Sequence, residues 1–229
     1  MSLTTQKSAR AQPGSTGSAK KLSRAGEQQW GKLLDAAELV FADHGYDGTS
    51  LRDITEAAGM HLALSTYYFG TKERLFEEVI RRRAIELTTA RQEALARINP
   101  DELTPSEHVR QLIVAFVTPV LKASYQHSKQ HQAYVRIMAR IVNVKRWTPV
   151  IQQYYGASDE TFIKCWRQAL PRAEETAVLT AMSFMVATLL CVCSYTHRLG
   201  NWPNTKAGHK KMVDHLIGYS HAGFMALEN

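Results

Sequence analysis

The chain has 229 residues, 45% of them hydrophobic and 21% charged, and its 28 lysine and arginine residues outnumber its 21 acidic residues. This composition is typical of a globular protein and excludes collagen-like, mucin-like and wholly disordered chains. Three cysteines without the spacing of a metal finger exclude a disulfide framework. Because the first residues form no apolar run, we expect no secretory signal.

Basic charge is concentrated near the N-terminus. Residues 1–24 hold five lysines and arginines and no acidic residue, within a stretch rich in Ser, Thr, Gly and Ala. Such a composition predicts a disordered basic tail. The net charge of +7 fits a polyanionic partner, although basic charge alone does not identify one.

Apolar residues recur at helical spacing along the rest of the chain, and glycines and prolines mark the breaks. The predicted helices cover 27–44, 51–58, 62–68, 71–98, 104–126, 129–145, 148–169, 173–199 and 206–227. Ser50 and Asp53 form the pattern of a capping box at the start of the second helix. Pro119 should kink the fifth helix, since it removes a backbone donor. No segment shows sustained strand alternation, so the predicted fold class is all-α.

Residues 176–196 form a run of 21 residues without a formal charge, which is long enough to span a bilayer. Two interpretations compete, a membrane-spanning helix and a helix buried on all sides by protein. Seven of the 21 residues are Thr, Ser or Tyr, and no second such run exists. We therefore favour the buried helix and expect no membrane association. Cys191 and Cys193 lie in this run and are expected to be inert buried thiols.

The most informative pattern is a pair of short helices, 51–58 and 62–68, joined by a turn that contains Gly59. Two short helices with a tight glycine-containing turn are typical of a helix-turn-helix, whose second helix enters the major groove of DNA. The alternative is an ordinary helical hairpin inside a bundle, because the motif is defined by geometry rather than by unusual residues.

The run from Ala36 to Phe76 resembles the DNA-binding domain of the tetracycline-repressor (TetR) family. The resemblance is carried by residues in the family's order and spacing, namely Phe41, Gly45, Tyr46, Thr49, Ser50, Ile54, Ala57, Ala58, Gly59, Tyr67, Tyr68, Phe69, Lys72 and Glu73. Outside this run the chain is similar to the family only in length and helical character. The family implies a homodimer that reads a palindromic operator, with a C-terminal ligand-binding domain.

The resemblance also implies which side chains contact phosphate. These are Thr49 and Ser50 at the start of the second helix, Lys72 at the start of the fourth, and Tyr67 or Tyr68. The chain has Thr66 where the commoner family pattern has an aromatic residue. Tyr67 is therefore the better candidate for a phosphate contact, and Tyr68 is the candidate for a place in the core.

The expected base-reading surface carries few hydrogen-bonding groups. Between Gly59 and Gly70 there is no Arg, Lys, Asn, Gln, Asp or Glu, the usual partners of guanine, adenine and cytosine. The remaining candidates, for single hydrogen bonds or for contact with a thymine methyl group, are His61, Leu62, Ala63, Ser65 and Thr66. Arg52 and the basic tail are further candidates, with a solvated tail as the alternative.

Aromatic and sulfur-containing residues concentrate between 104 and 169. The predicted ligand contacts, which in the alternative interpretation are plain core, are Phe116, Tyr125, Tyr134, Met138, Trp147, Tyr154, Phe162 and Trp166. Since Glu107 is the only acid in 103–158, a hydrophobic effector, neutral or anionic, is favoured over a cation. The family implies that the last two helices form the dimer interface.

Searches for chemistry give no positive result. The sequence has no nucleophile elbow, phosphate-binding glycine loop or zinc-protease motif, so we expect no catalytic residue, no metal and no cofactor. The sequence thus predicts a cytoplasmic, ligand-responsive transcriptional regulator, most simply a repressor. Its DNA-binding domain would cover 25–72 and its ligand-binding and dimerisation domain 73–229. The alternatives are a helical membrane-associated or adaptor protein, or an enzyme that uses the aromatic pocket.

Overall fold

The computed structural model describes residues 23–125, 128–194 and 205–228. Over these residues the protein consists of α-helices and short 3-10 turns without a β-strand, which confirms the predicted all-α class. The helices are α1 (Arg24–His44), α2 (Leu51–Ala57), α3 (Leu62–Phe69), α4 (Lys72–Leu95), α5 (Pro105–Tyr125), α6 (Lys129–Ile141), α7 (Thr148–Ala169), α8 (Glu175–Cys193) and α9 (Lys206–Met225). The 3-10 turns cover Pro100–Glu102, Lys145–Trp147 and Ala226–Glu228.

The N-terminal helices form around the apolar stripe of α1. Ser23 caps this helix, since its hydroxyl accepts a hydrogen bond from the Gly26 N–H at 3.2 Å. Leu33 and Phe41 are fully buried, and the Phe41 ring meets Phe76 of α4 at 4.8 Å between centroids. Most of the predicted basic tail, residues 1–22, lies outside the described residues.

The N-terminal helices and the C-terminal helices share one hydrophobic core. α1 packs along α6, where Arg136 forms an ion pair with Asp43 at 3.1 Å. The Trp147 ring, in the turn after α6, lies 4.8 Å from Tyr46 and 4.5 Å from Phe76. The C-terminal helices therefore contact α1 and α4 directly, and the helix-turn-helix packs against these same two helices.

α5 runs through Pro119 as one helix from Pro105 to Tyr125. A proline inside a helix weakens the preceding turn, because its ring displaces the chain and its nitrogen has no hydrogen. In that turn the Phe116 carbonyl accepts a hydrogen bond from the Arg91 Nε of α4 at 3.1 Å. A side chain of a neighbouring helix thus supports the backbone next to the proline.

The end of α6 differs from the sequence prediction. α6 ends at Ile141 rather than near 145, because the chain turns at Lys145–Trp147 to bury Trp147. The last part of the helix predicted over 173–199 lies outside the described residues, which stop at Ser194 in this region.

The expectation of a helix buried on all sides over 176–196 is wrong for a single protomer. Among the described residues, α8 is the one helix long and apolar enough to cross a membrane, yet only 33% of its apolar window is buried. Phe184 is 64% exposed. Cys193 is buried as expected, and burial raises the pKa of its thiol to about 12, but Cys191 is exposed. One face of α8 is thus uncovered.

Candidate DNA-binding surface and ligand cavity

α2 and α3 form a helix-turn-helix. The Asp53 N–H donates to the Ser50 hydroxyl, and the Asp53 carboxylate accepts from the Ser50 N–H at 2.7 Å, which completes the predicted capping box. These bonds from Ser50 lower the pKa of Asp53. Gly59 has φ +64°, a left-handed conformation that strongly favours glycine, and it turns the chain from α2 into α3.

α3 is held against α1 by its aromatic residues. The Tyr68 hydroxyl donates to Gln29 Oε1 at 2.7 Å, and the Trp30 ring packs on Phe69 with centroids 4.2 Å apart. Tyr68 is thereby half-buried and bonded within the protein, whereas Tyr67 is 63% exposed. The two neighbouring tyrosines have different surroundings.

The outer face of α3 is open to solvent. The residues on this face that were predicted to contact DNA, and that are exposed, are His61, Leu62, Ala63, Thr66 and Tyr67. Ser65 points inward and is fully buried, and its hydroxyl has no hydrogen-bond partner among the described residues. The predicted role of Ser65 in base reading is therefore wrong for this conformation, because its side chain is not accessible to DNA.

The predicted phosphate-binding residues also serve the local structure. The Thr49 hydroxyl is buried and donates to the Gly45 carbonyl at 2.7 Å. Lys72 Nζ donates to the carbonyls of Tyr46 and Thr49 at 2.9 and 2.8 Å and lies 4.3 Å above the Tyr46 ring. Lys72 thus ties the start of α4 to the turn before α2, with part of its positive charge already compensated.

Arg52 is the more accessible cation on this surface. Its side chain is 77% exposed and forms an ion pair with Glu56, one turn further along α2, at 2.9 Å. Hydrogen bonding to Glu56 raises the pKa of Arg52. An exposed pair of this kind is weak, so a phosphate can compete with Glu56 for the guanidinium.

A small interior cavity of about 90 Å³ lies among α4, α5, α6, α7 and α8. Its wall is mostly aliphatic and aromatic, with a few polar groups, and consists of Leu87, Arg91, Phe116, Val120, Tyr134, Val135, Met138, Val142, Ile151, Tyr155, Asp159, Val186, Leu189 and Leu190. An apolar enclosure with convergent polar groups is the usual form of a small-molecule site.

Arg91 and Asp159 bring a charge pair to this cavity. Arg91 is 5% exposed, its guanidinium lies 3.6 Å above the Phe116 ring, and its Nη1 is 3.6 Å from Asp159 Oδ1. Burial lowers the pKa of Arg91, and burial likewise raises the pKa of Asp159 against the opposing effect of Arg91. The pair is held in a weakly polar environment.

Two tyrosine hydroxyls complete the polar part of the wall. Those of Tyr134 and Tyr155 share a hydrogen bond of 2.7 Å and are both buried. Burial raises the pKa of Tyr155 to about 12 and raises that of Tyr134 well above its ordinary value. Both phenols are therefore protonated at neutral pH.

The structure separates the predicted ligand contacts into three groups. Phe116, Tyr134 and Met138 line the cavity, and Tyr125 lines an open groove between α5 and α9. The other predicted ligand contacts lie outside the cavity wall, and they are Trp147, Tyr154, Phe162 and Trp166. Trp147 instead joins the helix-turn-helix to the C-terminal helices, while Phe162 and Trp166 pack with Phe116 in the core.

Sequence reasoning missed Arg91 and Asp159 as cavity residues. A signal for Arg91 was present, because it continues the buried positions Ala84 and Leu87 of α4 at helical spacing. An arginine within an apolar stripe needs a buried partner or a ligand. Asp159 had no comparable signal, since α7 is mixed in polarity.

A buried ion-pair network connects α1 to α4 and α6. Glu38 of α1 is fully buried and accepts hydrogen bonds from Arg82 at 2.6 Å and from Arg83 at 2.9 Å. Arg83 also pairs with Glu86 at 2.9 Å, and Glu86 lies 3.0 Å from His131 Nε2 of α6. The network spans from the helix-turn-helix support to two helices that line the cavity.

The uncovered face of α8 continues onto α9. Phe184 and Tyr219 are 64% and 69% exposed and border an apolar groove of about 540 Å³ that also includes Gly223. On α9, Met212, Leu216 and Phe224 face the core of the protomer. The available surface is the opposite side of α9.

Among the described residues, no group of three or more His, Cys, Asp or Glu side chains is arranged to hold a metal ion.

Two family models match the chain. Residues 33–79 match "Bacterial regulatory proteins, tetR family", and residues 114–223 match "Tetracyclin repressor-like, C-terminal domain". The first range contains the helix-turn-helix, and the second contains most of the cavity wall and both helices of the uncovered face.

Curated relatives are similar over part of their length. The chain is 36% identical over 56 residues to the HTH-type transcriptional repressor AcnR of Corynebacterium efficiens, covering 24% of this chain and 30% of that protein. It is 29% identical over 107 residues to the HTH-type transcriptional repressor NicS of Pseudomonas putida, covering 47% and 45%. The chain thus spans less than half of the length of these relatives.

Solved structures match over nearly the whole chain. The hemolysin II transcriptional regulator HlyIIR has a TM-score of 0.57 at 20% identity, covering 89% of this chain and 99% of that one. A tetR family transcription regulator from Shewanella sp. PV-4 has a TM-score of 0.61 at 18% identity, covering 86% and 95%. At such identities the likeness is one of fold.

Proposed function

The chain belongs to the TetR family of bacterial regulatory proteins, and from that membership we propose that it is a ligand-responsive DNA-binding regulator that acts as a repressor. The observation that carries the proposal is a solvent-facing α3 mounted on helices that also enclose a cavity. Its curated relatives are transcription regulators, and we propose binding in the cytoplasm rather than catalysis as its activity.

We propose the DNA-binding domain over 25–72 and the ligand-binding and dimerisation domain over 73–229. The outer face of α3, with Leu62, Ala63, Thr66 and Tyr67, would enter the major groove. Arg52 and Lys72 would contact phosphates on either side. With few hydrogen-bonding groups on α3, recognition would depend on methyl contacts, on the shape of the DNA and on the spacing of two half-sites.

The dimer interface is proposed on the uncovered face of α8 and α9. An exposed apolar patch on a soluble protein marks an interaction surface, and a two-fold interface uses the same patch on both subunits. Phe184, Tyr219 and the small residue Gly223 lie on this patch. This arrangement also accounts for an apolar helix that one protomer leaves largely uncovered.

Control by a ligand would act through the helices shared by the two domains. α6 carries Tyr134, Val135 and Met138 to the cavity and Arg136 to α1, while α4 carries Arg91 to the cavity and Arg83 to Glu38. A ligand changes operator affinity only by its different affinities for two arrangements of these helices. We propose that the occupied arrangement misaligns the two α3 helices.

Selection of genomic DNA fragments on the purified protein, followed by footprinting, tests this function. The expected result is a palindromic site with half-sites about 34–36 Å apart, one turn of DNA. A Thr66→Asp/Tyr67→Asp double variant should lose the site through repulsion of phosphate, whereas a Glu93→Ala variant, altered on an exposed part of α4, should keep it. Failure of wild type to enrich any fragment would overturn the proposal.

A further inference from the structure

We propose that the interior cavity binds a compact monocarboxylic acid. Its carboxylate would pair with the Arg91 guanidinium, and its apolar body would fill the space between α5, α6 and α8. The inference rests on the proposed function, because it names the chemical class of the effector that the regulator would sense.

Arg91 has more hydrogen-bonding capacity than the described residues use. A guanidinium carries five N–H donors. Within the described residues, its one hydrogen bond runs from Nε to the Phe116 carbonyl, and the 3.6 Å contact with Asp159 is longer than a hydrogen bond. With only 5% of Arg91 exposed, its Nη groups have little access to water, so the outer edge of this guanidinium favours an acceptor that enters the cavity.

A carboxylate fits that edge. Its two oxygens accept two parallel N–H bonds from a guanidinium, a geometry stronger and more specific than a neutral hydrogen bond. The Tyr134 and Tyr155 hydroxyls add a donor, because their mutual bond uses one of the two phenol protons. Donors from α4 and from α6 or α7 thus converge on one small apolar space.

Other ligand charges fit less well. A cation would meet the buried positive charge of Arg91, and Asp159 is already paired with that arginine. A purely apolar ligand would leave the guanidinium without an acceptor while excluding water from it. An amide supplies one acceptor oxygen where a carboxylate supplies two with a full charge.

The size of the cavity limits the apolar body. A water-sized group needs roughly 10–15 Å³ of such space, so about 90 Å³ accommodates roughly six to nine of these groups. With three atoms assigned to the carboxylate, roughly three to six carbons remain. Val120, Val135, Met138 and Leu189 would surround them.

Asp159 lies where the acid would enter. It lines both the cavity and an outer groove of about 520 Å³ between α6, α7 and α8, together with Val142 and Val186. Asp159 is half-buried, so its carboxylate can turn from Arg91 towards the groove when an incoming carboxylate takes its place. Asp159 then acts as an internal competitor that sets the affinity for the acid.

Calorimetric titration of the full-length protein at pH 7 without DNA tests this inference. The probes are butyrate, pentanoate, hexanoate and benzoate, each compared with its primary amide and with the amine of equal length. The acids should bind roughly 10- to 100-fold more tightly than the amides, the range expected for charge-assisted hydrogen bonds, and the amines should not bind. Equal binding of acids and amides, or no binding of the acids, would overturn the inference.

Variants at three positions assign the effect to the cavity. Arg91→Met should abolish the preference for acids, and Arg91→Lys, which keeps the charge and protects the fold, should reduce it. Asp159→Asn should tighten acid binding by removing the competing carboxylate. Arg97→Met removes an exposed charge just beyond the end of α4 and should change nothing. An equal loss in Arg97→Met and Arg91→Met would show general electrostatics and contradict the assignment.

The test distinguishes failure of the inference from failure of the proposed function. A protein that selects operator DNA but binds acids and amides equally keeps the function and loses the inference. A protein that binds the acids through Arg91 but enriches no DNA fragment keeps the inference about the cavity and loses the regulatory role.

Discussion

The outer face of α3 and the interior cavity place their functional groups in opposite ways. α3 presents small and apolar side chains with two hydroxyls to solvent and has no formal charge, whereas the cavity encloses a buried arginine, an aspartate and two tyrosines. If the proposed function holds, recognition of DNA by α3 would depend on shape and on the pairing of two subunits. Recognition of a ligand in the cavity would depend on a few strong polar contacts in a largely apolar space. The comparison shows that a basic chain need not place its buried charges on α3, the helix proposed to read DNA.

The largest effect is expected where the two regions join. Glu38→Leu leaves Arg82 and Arg83 without their buried partner, and loss of one member of a buried pair costs about 3–5 kcal/mol of the free energy of unfolding. Denaturant unfolding measures this change. Glu93→Ala removes an acid from an exposed pair on α4 and should cost roughly 0–1 kcal/mol. Similar costs for both variants would mean that the buried ion pairs of Glu38 contribute little to the free energy of unfolding.

A substitution at the proposed dimer face should impair operator binding and leave the cavity intact. In the protomer, a side-chain atom added at Gly223 meets no other atom within 4 Å, so Gly223→Arg is tolerated by the monomer. At a two-fold interface it buries an unpaired charge that costs several kcal/mol. We expect monomers in sedimentation, loss of tight operator binding and an intact cavity. Gly31→Arg, at an equally open helical glycine of α1, should remain a dimer. A dimeric Gly223→Arg protein would place the interface elsewhere.

The smallest of these effects concerns Lys72. Lys72→Ala should weaken binding to operator and random DNA alike and reduce the salt dependence of affinity by about one ion per subunit. It also removes two hydrogen bonds to backbone carbonyls, so the free energy of unfolding should fall by about 1 kcal/mol. Acid binding in the cavity should not change. A loss of stability with an unchanged salt slope would make Lys72 a structural residue only.

The two regions also differ in how well the sequence predicted them. The helix-turn-helix depends on local features, the capping box at Ser50 and Asp53 and the turn at Gly59, which a single sequence displays. The cavity depends on residues far apart in the chain, such as Arg91 and Asp159, that only the packing of α4 and α7 brings together. Aromatic content predicted Trp147 and Trp166 as ligand contacts. In the structure Trp166 packs on Phe116 in the core, and Trp147 packs on Phe76 of α4.

The same limit applies to α8. Its uncharged sequence predicted burial, but periodicity within one chain does not distinguish a neighbour in the same protomer from a partner subunit. Only the packing shows that Phe184 and Tyr219 share one uncovered face.

The central claim is that the cavity controls α3. The most direct test is to fill the cavity with a larger side chain of the protein itself and to measure the affinity for operator DNA. Leu189→Phe adds volume at a fully buried position of the cavity wall, and Ile85→Phe makes the same change at a half-exposed position of α4. Fluorescence anisotropy with operator and random DNA should show that Leu189→Phe lowers operator affinity at least about tenfold and leaves random-DNA affinity unchanged. Ile85→Phe should match wild type. A folded, dimeric Leu189→Phe protein that binds operator as tightly as wild type would contradict the account.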